Sequence, residues 1–174
     1  MILWKKDKTV LGIIDAKSTK NTDIAEEKGY DAGKNVSGIK LHIIVDTMGL
    51  PHTIYVSCAN VTDRNGVIQA ISLNSDSLSC IKKYIVDGGY TEDKFASAVK
   101  EFCEAEVEVV KKNEVHKFEV LHVRRIAEHS FDWPEKCRRL WRIWRIYVFL
   151  YKKFPKLQYQ IGHFTTIIID LLGN

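Results

Sequence analysis

Residues Val10 to Thr19 read Val-Leu-Gly-Ile-Ile-Asp-Ala-Lys-Ser-Thr, and the fold turns on this stretch. An apolar run meets one carboxylate, Asp15, and small polar residues follow it. A short apolar run bounded by turn-type residues is the pattern of a buried strand. A second run ends in the same way, at Tyr84-Ile-Val-Asp87, and Gly88-Gly89-Tyr90 follows at once. Each run puts an acid where a buried strand reaches solvent.

Working outward from these two runs, the intervening elements order themselves. Lys20 to Ser37 is polar, contains Gly29-Tyr-Asp-Ala-Gly-Lys34, and reads as a loop. Lys40 to Thr47 and His52 to Ala59 read as strands. Met48-Gly-Leu-Pro51 is short enough to make them an antiparallel hairpin. A helix starts near Thr62 or Asp63 as N-cap, with Val67, Ile68, Ile71 and Leu73 on its apolar face. Ile81 to Val86 is the fourth strand. Phe95, Val99 and Phe102 have helical spacing, and Val107 to Lys111 is the fifth strand. A helix from about Leu121 stops at Pro134. A hairpin followed by alternating strands and helices implies a mixed α/β sheet with helices on both faces.

The totals agree with one soluble domain over residues 1–174. The chain has 174 residues, 45% of them hydrophobic and 28% charged. Charge is unevenly spread. From Lys136 onward there are eight Lys or Arg and one acid, Asp170, so the net +4 of the chain divides into +7 there and −3 before it. A basic tail on a mildly acidic body suits a polyanionic partner. Cys58, Cys80, Cys103 and Cys137 are far apart with no C-x-x-C pair, which argues against a zinc site and a disulfide framework. The start, Met-Ile-Leu-Trp-Lys-Lys, lacks a signal-peptide core, and no apolar run nears the ~20 residues that span a bilayer. The expectation is a cytoplasmic protein, bound to the nucleoid when on DNA.

Strand-end acids on neighbouring strands of an α/β sheet can converge at one edge. Two close carboxylates raise each other's pKa unless a cation lies between them. A hard cation such as Mg²⁺ is held by a few carboxylates together with substrate phosphate. The plainer alternative is that each Asp only starts a turn, and Asp46, in Ile-Ile-Val-Asp before the hairpin, is read that way. Arg124 and Glu128, four apart, share one helix face; an exposed ion pair is the alternative there. In the tail, Lys136, Arg138, Arg139, Arg142, Arg145, Lys152, Lys153 and Lys156 interleave with six aromatic residues. Such a segment, residues 136–174, reads as helical, with aromatics toward a core and bases toward phosphate.

Taken together, these segments resemble the catalytic region of DDE insertion-sequence transposases, in particular the IS5 group of the IS4-like superfamily. The matching segments are Gly12-Ile-Ile-Asp15-Ala-Lys-Ser18, Gly29 to Lys34, Lys40 to Leu50, Ala59-Asn-Val-Thr-Asp-Arg-Asn-Gly66, Val86-Asp-Gly-Gly-Tyr90, and Arg124-x-x-x-Glu128 with Phe131 and Trp133. They cover roughly residues 10–145. The resemblance implies an RNase H-like, retroviral integrase-like fold with a five-stranded mixed sheet. It implies Asp15, Asp87 and Glu128 as a metal-binding triad, with two Mg²⁺ ions for which Mn²⁺ can substitute. Arg124 would orient the glutamate or contact phosphate. Lys136, Arg138, Arg139 and Arg142 are the further DNA contacts expected, with Lys34 and Lys40, whose alternative role is to order a loop.

The implied activity is nicking at element ends and transfer of the freed strand to target DNA, within a dimer or larger synaptic complex. The family's signature Tyr falls at Leu121, and its basic residue falls at Glu135 with Lys136 one later. The chain opens just before the first catalytic strand, so the region that recognises element ends is expected to be absent, supplied by an upstream-frame half. Two other readings stay open: an inactive remnant that binds DNA non-specifically, and a host RNase H-like nuclease.

Overall fold

The computed structural model describes residues 11–20, 28–91, 93–110 and 125–132. In chain order these give β1 (Leu11–Lys20), β2 (Gly29–Asp31), β3 (Val36–Val45), β4 (Pro51–Cys58), α1 (Asp63–Leu73), α2 (Ser75–Leu78), β5 (Lys83–Asp87), a 3₁₀ turn (Gly88–Tyr90), α3 (Asp93–Cys103) and β6 (Glu106–Val110). Residues 125–132 are helical.

The strands form one mixed sheet with the path β2-β3-β1-β5-β6, and β4 pairs with β3 as well. β1 runs antiparallel to β3 from Ile13↔Val45 to Lys20↔Gly38. On its other side β1 is parallel to β5, with Leu11↔Lys83, Gly12↔Tyr84 and Ile13↔Ile85. β5 and β6 are also parallel. β1 is therefore the central strand, as its apolar run predicts. The Met48–Pro51 connection closes the β3–β4 hairpin, and Asp46 acts there as a turn residue: its Oδ1 accepts the amides of Met48 and Leu50 at 2.8 and 2.9 Å.

Strand pleating sends alternate β1 residues to opposite faces. Ile14 joins one core with Ile44, Val67, Ile71, Tyr84, Val86, Phe95 and Val99, under α1 and α3. Ile13 joins the other with Leu41, Ile43, Val56, Ala127 and Phe131, under the 125–132 helix. Helices thus cover both faces, and the architecture is the mixed α/β arrangement of an RNase H-like fold. α1 begins as expected, with the Thr62 side chain accepting from Asn65 N.

Three expectations need correction. The segment 20–37 is not all loop: β1 runs to Lys20, β3 starts at Val36, and Gly29–Asp31 adds a sixth strand to the five expected. Its polar sequence hid the pairing because a strand beside a hairpin turn needs no apolar face. On α1, Ala70 and Gly66 take the buried positions with Val67 and Ile71, since the helix approaches β3 closely. On α3, Cys103 replaces Phe102 at the buried position, and Phe102 is 42% exposed; one residue of phase separates them. The expected 136–174 helical segment and Cys137 lie outside the described residues. Among those described, Cys58, Cys80 and Cys103 are free, and no helix is long and apolar enough to cross a membrane.

Candidate active site

Continuing the parallel register of β1 and β5 by two residues from Ile13↔Ile85 sets Asp15 opposite Asp87. Residues in register on parallel strands share a face, so both acids lie on the face of Ile13. The same face of β1 carries Lys17, whose ammonium stands 5.9 Å from the centre of the Phe131 ring. Asp15 is thus flanked along β1 by two residues that meet the 125–132 helix.

Asp15 is half-buried and accepts the Ala16 amide at 2.7 Å. Burial pushes its pKa up to about 6; the Ala16 hydrogen bond opposes this, and the charges of Asp87 and Asp63 add to it. Asp87 is exposed and caps the 3₁₀ turn, accepting Gly89 N at 2.9 Å.

Glu128 is exposed on the 125–132 helix. Ala127, Ser130 and Phe131 form the buried stripe of this helix. The Ser130 hydroxyl lies 2.9 Å from the Gly49 carbonyl and 2.8 Å from the Ile126 carbonyl. The helical period puts Ile126 and Ser130 on one flank of the stripe, toward the β3–β4 turn, and Glu128 on the other. Among the described residues, no group of three His, Cys, Asp or Glu stands close enough to hold a metal ion.

Two expected DNA contacts are described, and they differ. Lys34 carries a 42% exposed side chain. Its Nζ donates to the Ala16 carbonyl at 3.0 Å, one residue beyond Asp15. Lys40 is a correction to the expected DNA contact. It is only 4% exposed, and its Nζ is committed to Asp63 Oδ1 at 2.8 Å, Asp31 Oδ2 at 3.0 Å and the Val61 carbonyl at 2.9 Å. Burial works against its charge, but the bonds to Asp63 and Asp31 prevail and its pKa is raised. An ammonium whose three donors are all used inside the fold is not offered to a phosphate. Arg124, Lys136, Arg138, Arg139 and Arg142 lie outside the described residues.

Three residues beside the site escaped the reading of the sequence. Asp63, first residue of α1, adds a carboxylate within electrostatic reach of Asp15. Its segment was part of the resemblance, but an Asp at a helix start reads first as a cap. Asp31 binds Ser18 Oγ at 2.6 Å, and this bond leads in holding its carboxyl well below the usual range. Tyr90 is buried, packs its ring 5.1 Å from that of Phe95, and leaves its hydroxyl without a partner. Burial first, then the charges of Asp63, Asp15 and Asp87, raises its pKa.

These features fit a divalent cation. The donors are all oxygen, and burial, together with the charges of Asp87 and Asp63, raises the Asp15 pKa against the opposing charge of Lys34. Mg²⁺ is commonly held by one or two carboxylates plus substrate phosphate, so the in-register pair is a sufficient start.

None of the curated proteins and none of the solved structures matches the chain. The family model described as "Transposase DDE domain" matches residues 6–149. That match spans β1 to the 125–132 helix and so contains every element of the site. The chain belongs to the transposase DDE domain family, whose members cut and transfer DNA strands.

Proposed function

We propose that the chain is the catalytic part of an IS5-group insertion-sequence transposase that nicks DNA and transfers the freed strand. What supports this reading is that Asp15 and Asp87 both lie two residues past the paired Ile13↔Ile85, beside the face covered by the 125–132 helix. Asp15, Asp87 and Glu128 would hold two Mg²⁺ ions, which when bound supply activation of the attacking oxygen and stabilisation of the leaving one.

The protein's own part is placement. Asp15 sits on the central strand, paired with Ile43 of β3, and its carboxylate is held by the Ala16 amide. Asp87 is held by its own cap on the 3₁₀ turn. Glu128 rides on a helix anchored through Phe131, Ala127 and Ser130. In the first step a water oxygen bonds to phosphorus and the 3′ oxygen leaves, taking a proton to become a hydroxyl. In the second, that hydroxyl attacks a target phosphodiester and gives up its proton as the target 3′ oxygen leaves. One phosphodiester is lost to water and one is exchanged, so no energy-rich cofactor is needed. DNA ends and target are the partners, and Arg124 with the basic residues from Lys136 to Arg142 would supply phosphate contacts.

The test is nicking of supercoiled plasmid by the purified chain in Mn²⁺ or Mg²⁺. Metal-dependent open circles are expected, with losses of at least a hundredfold in Asp15→Asn, Asp87→Asn and Glu128→Gln. Nicking that survives Asp15→Asn, or wild-type protein that folds and binds DNA without nicking it, overturns the reading. The second outcome leaves a DNA-binding remnant.

A further inference from the structure

The Asp31–Asn35 turn is built around the partly buried carboxylate of Asp31. Asp31 Oδ1 accepts the amides of Gly33 and Lys34 at 3.1 and 3.2 Å, and its Oδ2 takes Ser18 Oγ and Lys40 Nζ. Asn35 adopts φ 54°, and its side chain accepts from the Tyr30 hydroxyl. Gly29 lies so close to Asn60 that a Cβ there would stand 2.3 Å from the Asn60 Oδ1. Through Lys40 the turn is tied to Asp63, hence to the start of α1, and to the Val61 carbonyl before it.

The arrangement has one exposed product. Lys34 reaches back over β1 to the Ala16 carbonyl and lies 3.4 Å from Asp63 Oδ2. Those two acceptors leave the third donor of its ammonium open to solvent at the rim of the Asp15 site. Lys40 and Lys34 therefore divide the work of two lysines that look alike in the sequence. One is interior and sets geometry; the other is the charge that a polyanion meets.

Resting on the transposase reading of the site, we propose that Lys40, through Asp31 and Asp63, is a positioning residue that holds Lys34 beside Asp15, where Lys34 takes a DNA phosphate next to the one cleaved. Asp31 is the turn's capping acceptor and Lys40 its counter-charge. Without either, the turn keeps its chain but loses the orientation of Lys34.

The experiment measures duplex DNA binding by the whole chain through fluorescence anisotropy over a range of salt, with plasmid nicking alongside. Each phosphate contact contributes about 0.9 to the slope of log K against log salt. Lys34→Met is expected to lower that slope by about one contact and to leave the thermal midpoint near wild type. Lys40→Met is expected to lose the same contact. Should it fail to fold, Asp31→Asn decides, because Lys40 keeps Asp63 as its partner there. The sharp readout is the double variant Asp31→Asn with Lys34→Met, which should bind no more weakly than Lys34→Met alone. A full-strength slope in Lys34→Met, or additive losses in the double variant, overturns the proposal. Nicking separates the two readings: loss of the slope contact with no metal-dependent nicking in wild type keeps the Lys34 contact and removes the enzyme assignment, whereas nicking lost in Asp15→Asn but slopes unchanged in Lys34→Met does the reverse.

Discussion

Asp15 and Asp87 each lie two residues beyond the last paired position, Ile13↔Ile85, of neighbouring parallel strands, and the charge of Asp87 is felt at Asp15. They are 72 residues apart in the sequence, and only the crossover from β1 to β5 brings them together. Each acid follows strand residues packed into the core, Ile13 and Ile14 on β1 and Tyr84 and Val86 on β5.

That placement costs stability when no cation is present. The Asp15 pKa rises from 3.8 to about 6 on folding, so the folded chain binds more protons than the unfolded one between those values. Stability from this group is full below about pH 3.8 and is lost as pH rises to about 6. Asp15→Asn is therefore expected to raise the thermal midpoint of the metal-free chain at pH 7.5. Mn²⁺ should raise the wild-type midpoint by preferential binding to the native state and leave the variant's nearly unchanged. An equal Mn²⁺ shift in both would place the ion elsewhere.

How much of this was legible depended on what each residue touches. Asp15 and Asp87 stood out because a buried strand ending in an acid is visible in one dimension. That they share a face required the parallel register, which no local pattern encodes. Lys40 illustrates the opposite limit. On an amphipathic count it is a strand-edge lysine fit for phosphate, and only the fold shows Asp31 and Asp63 converging on it from segments nine residues before and 23 after. Phe102 and Cys103 differ by 100° of helical phase, which the spacing of three apolar residues cannot resolve. Tyr90 followed a recognised Asp-Gly-Gly segment, yet nothing in the sequence says that its hydroxyl is left without a partner.

His42 supplies a second pH effect, with the opposite sign. It is 0% exposed on β3, with Nε2 2.9 Å from Ser57 Oγ and Nδ1 unpartnered. Burial lowers its pKa from 6.5 to about 4. The unfolded chain then binds more protons between pH 4 and 6.5, so stability from this group is present above pH 6.5 and falls as pH drops toward 4. Between pH 7.5 and 5 the loss is about 2 kcal/mol from this residue. Because Asp15 works the other way, the measurement is the difference between wild type and His42→Gln in urea unfolding at the two pH values. Parallel pH profiles would show that His42 does not titrate in this window.

The same histidine explains a glycine. A Cβ on Gly66 would stand 2.1 Å from the His42 ring atoms Cε1 and Nε2. Alanine in a helix interior is worth about 1 kcal/mol more than glycine, so propensity alone predicts that Gly66→Ala stabilises α1. Overpacking of a filled core costs about 1–3 kcal/mol, and the ring, held by Ser57 and covered by α1, has little room to yield. The clash should win, giving a net loss of up to about 2 kcal/mol. Combining Gly66→Ala with His42→Ala should recover part of it, since the second change removes the atoms that collide. A stabilised Gly66→Ala would mean that α1 can shift away from β3 at little cost.

The helix that carries Glu128 depends on a contact across 81 residues, between Ser130 and Gly49. Gly49 has φ +80°, and a Cβ there would lie 3.2 Å from Ser130 Oγ and 3.5 Å from Ile126 Cγ2. Its backbone is therefore both left-handed and pressed against the helix, so Gly49→Ala is strained twice. Ser130→Ala removes only the hydroxyl and should cost about 1 kcal/mol of stability. Its larger effect is expected on nicking, because Glu128 lies half a turn away and a displacement near 1 Å can cost about a hundredfold in rate. DNA affinity should hardly change, since Ser130 is buried against Gly49. The two effects separate cleanly in one experiment: urea unfolding, DNA binding and metal-dependent nicking of Ser130→Ala measured side by side. Nicking that falls only as far as the unfolded fraction accounts for would show that the Ser130–Gly49 contact stabilises the helix without setting the position of Glu128.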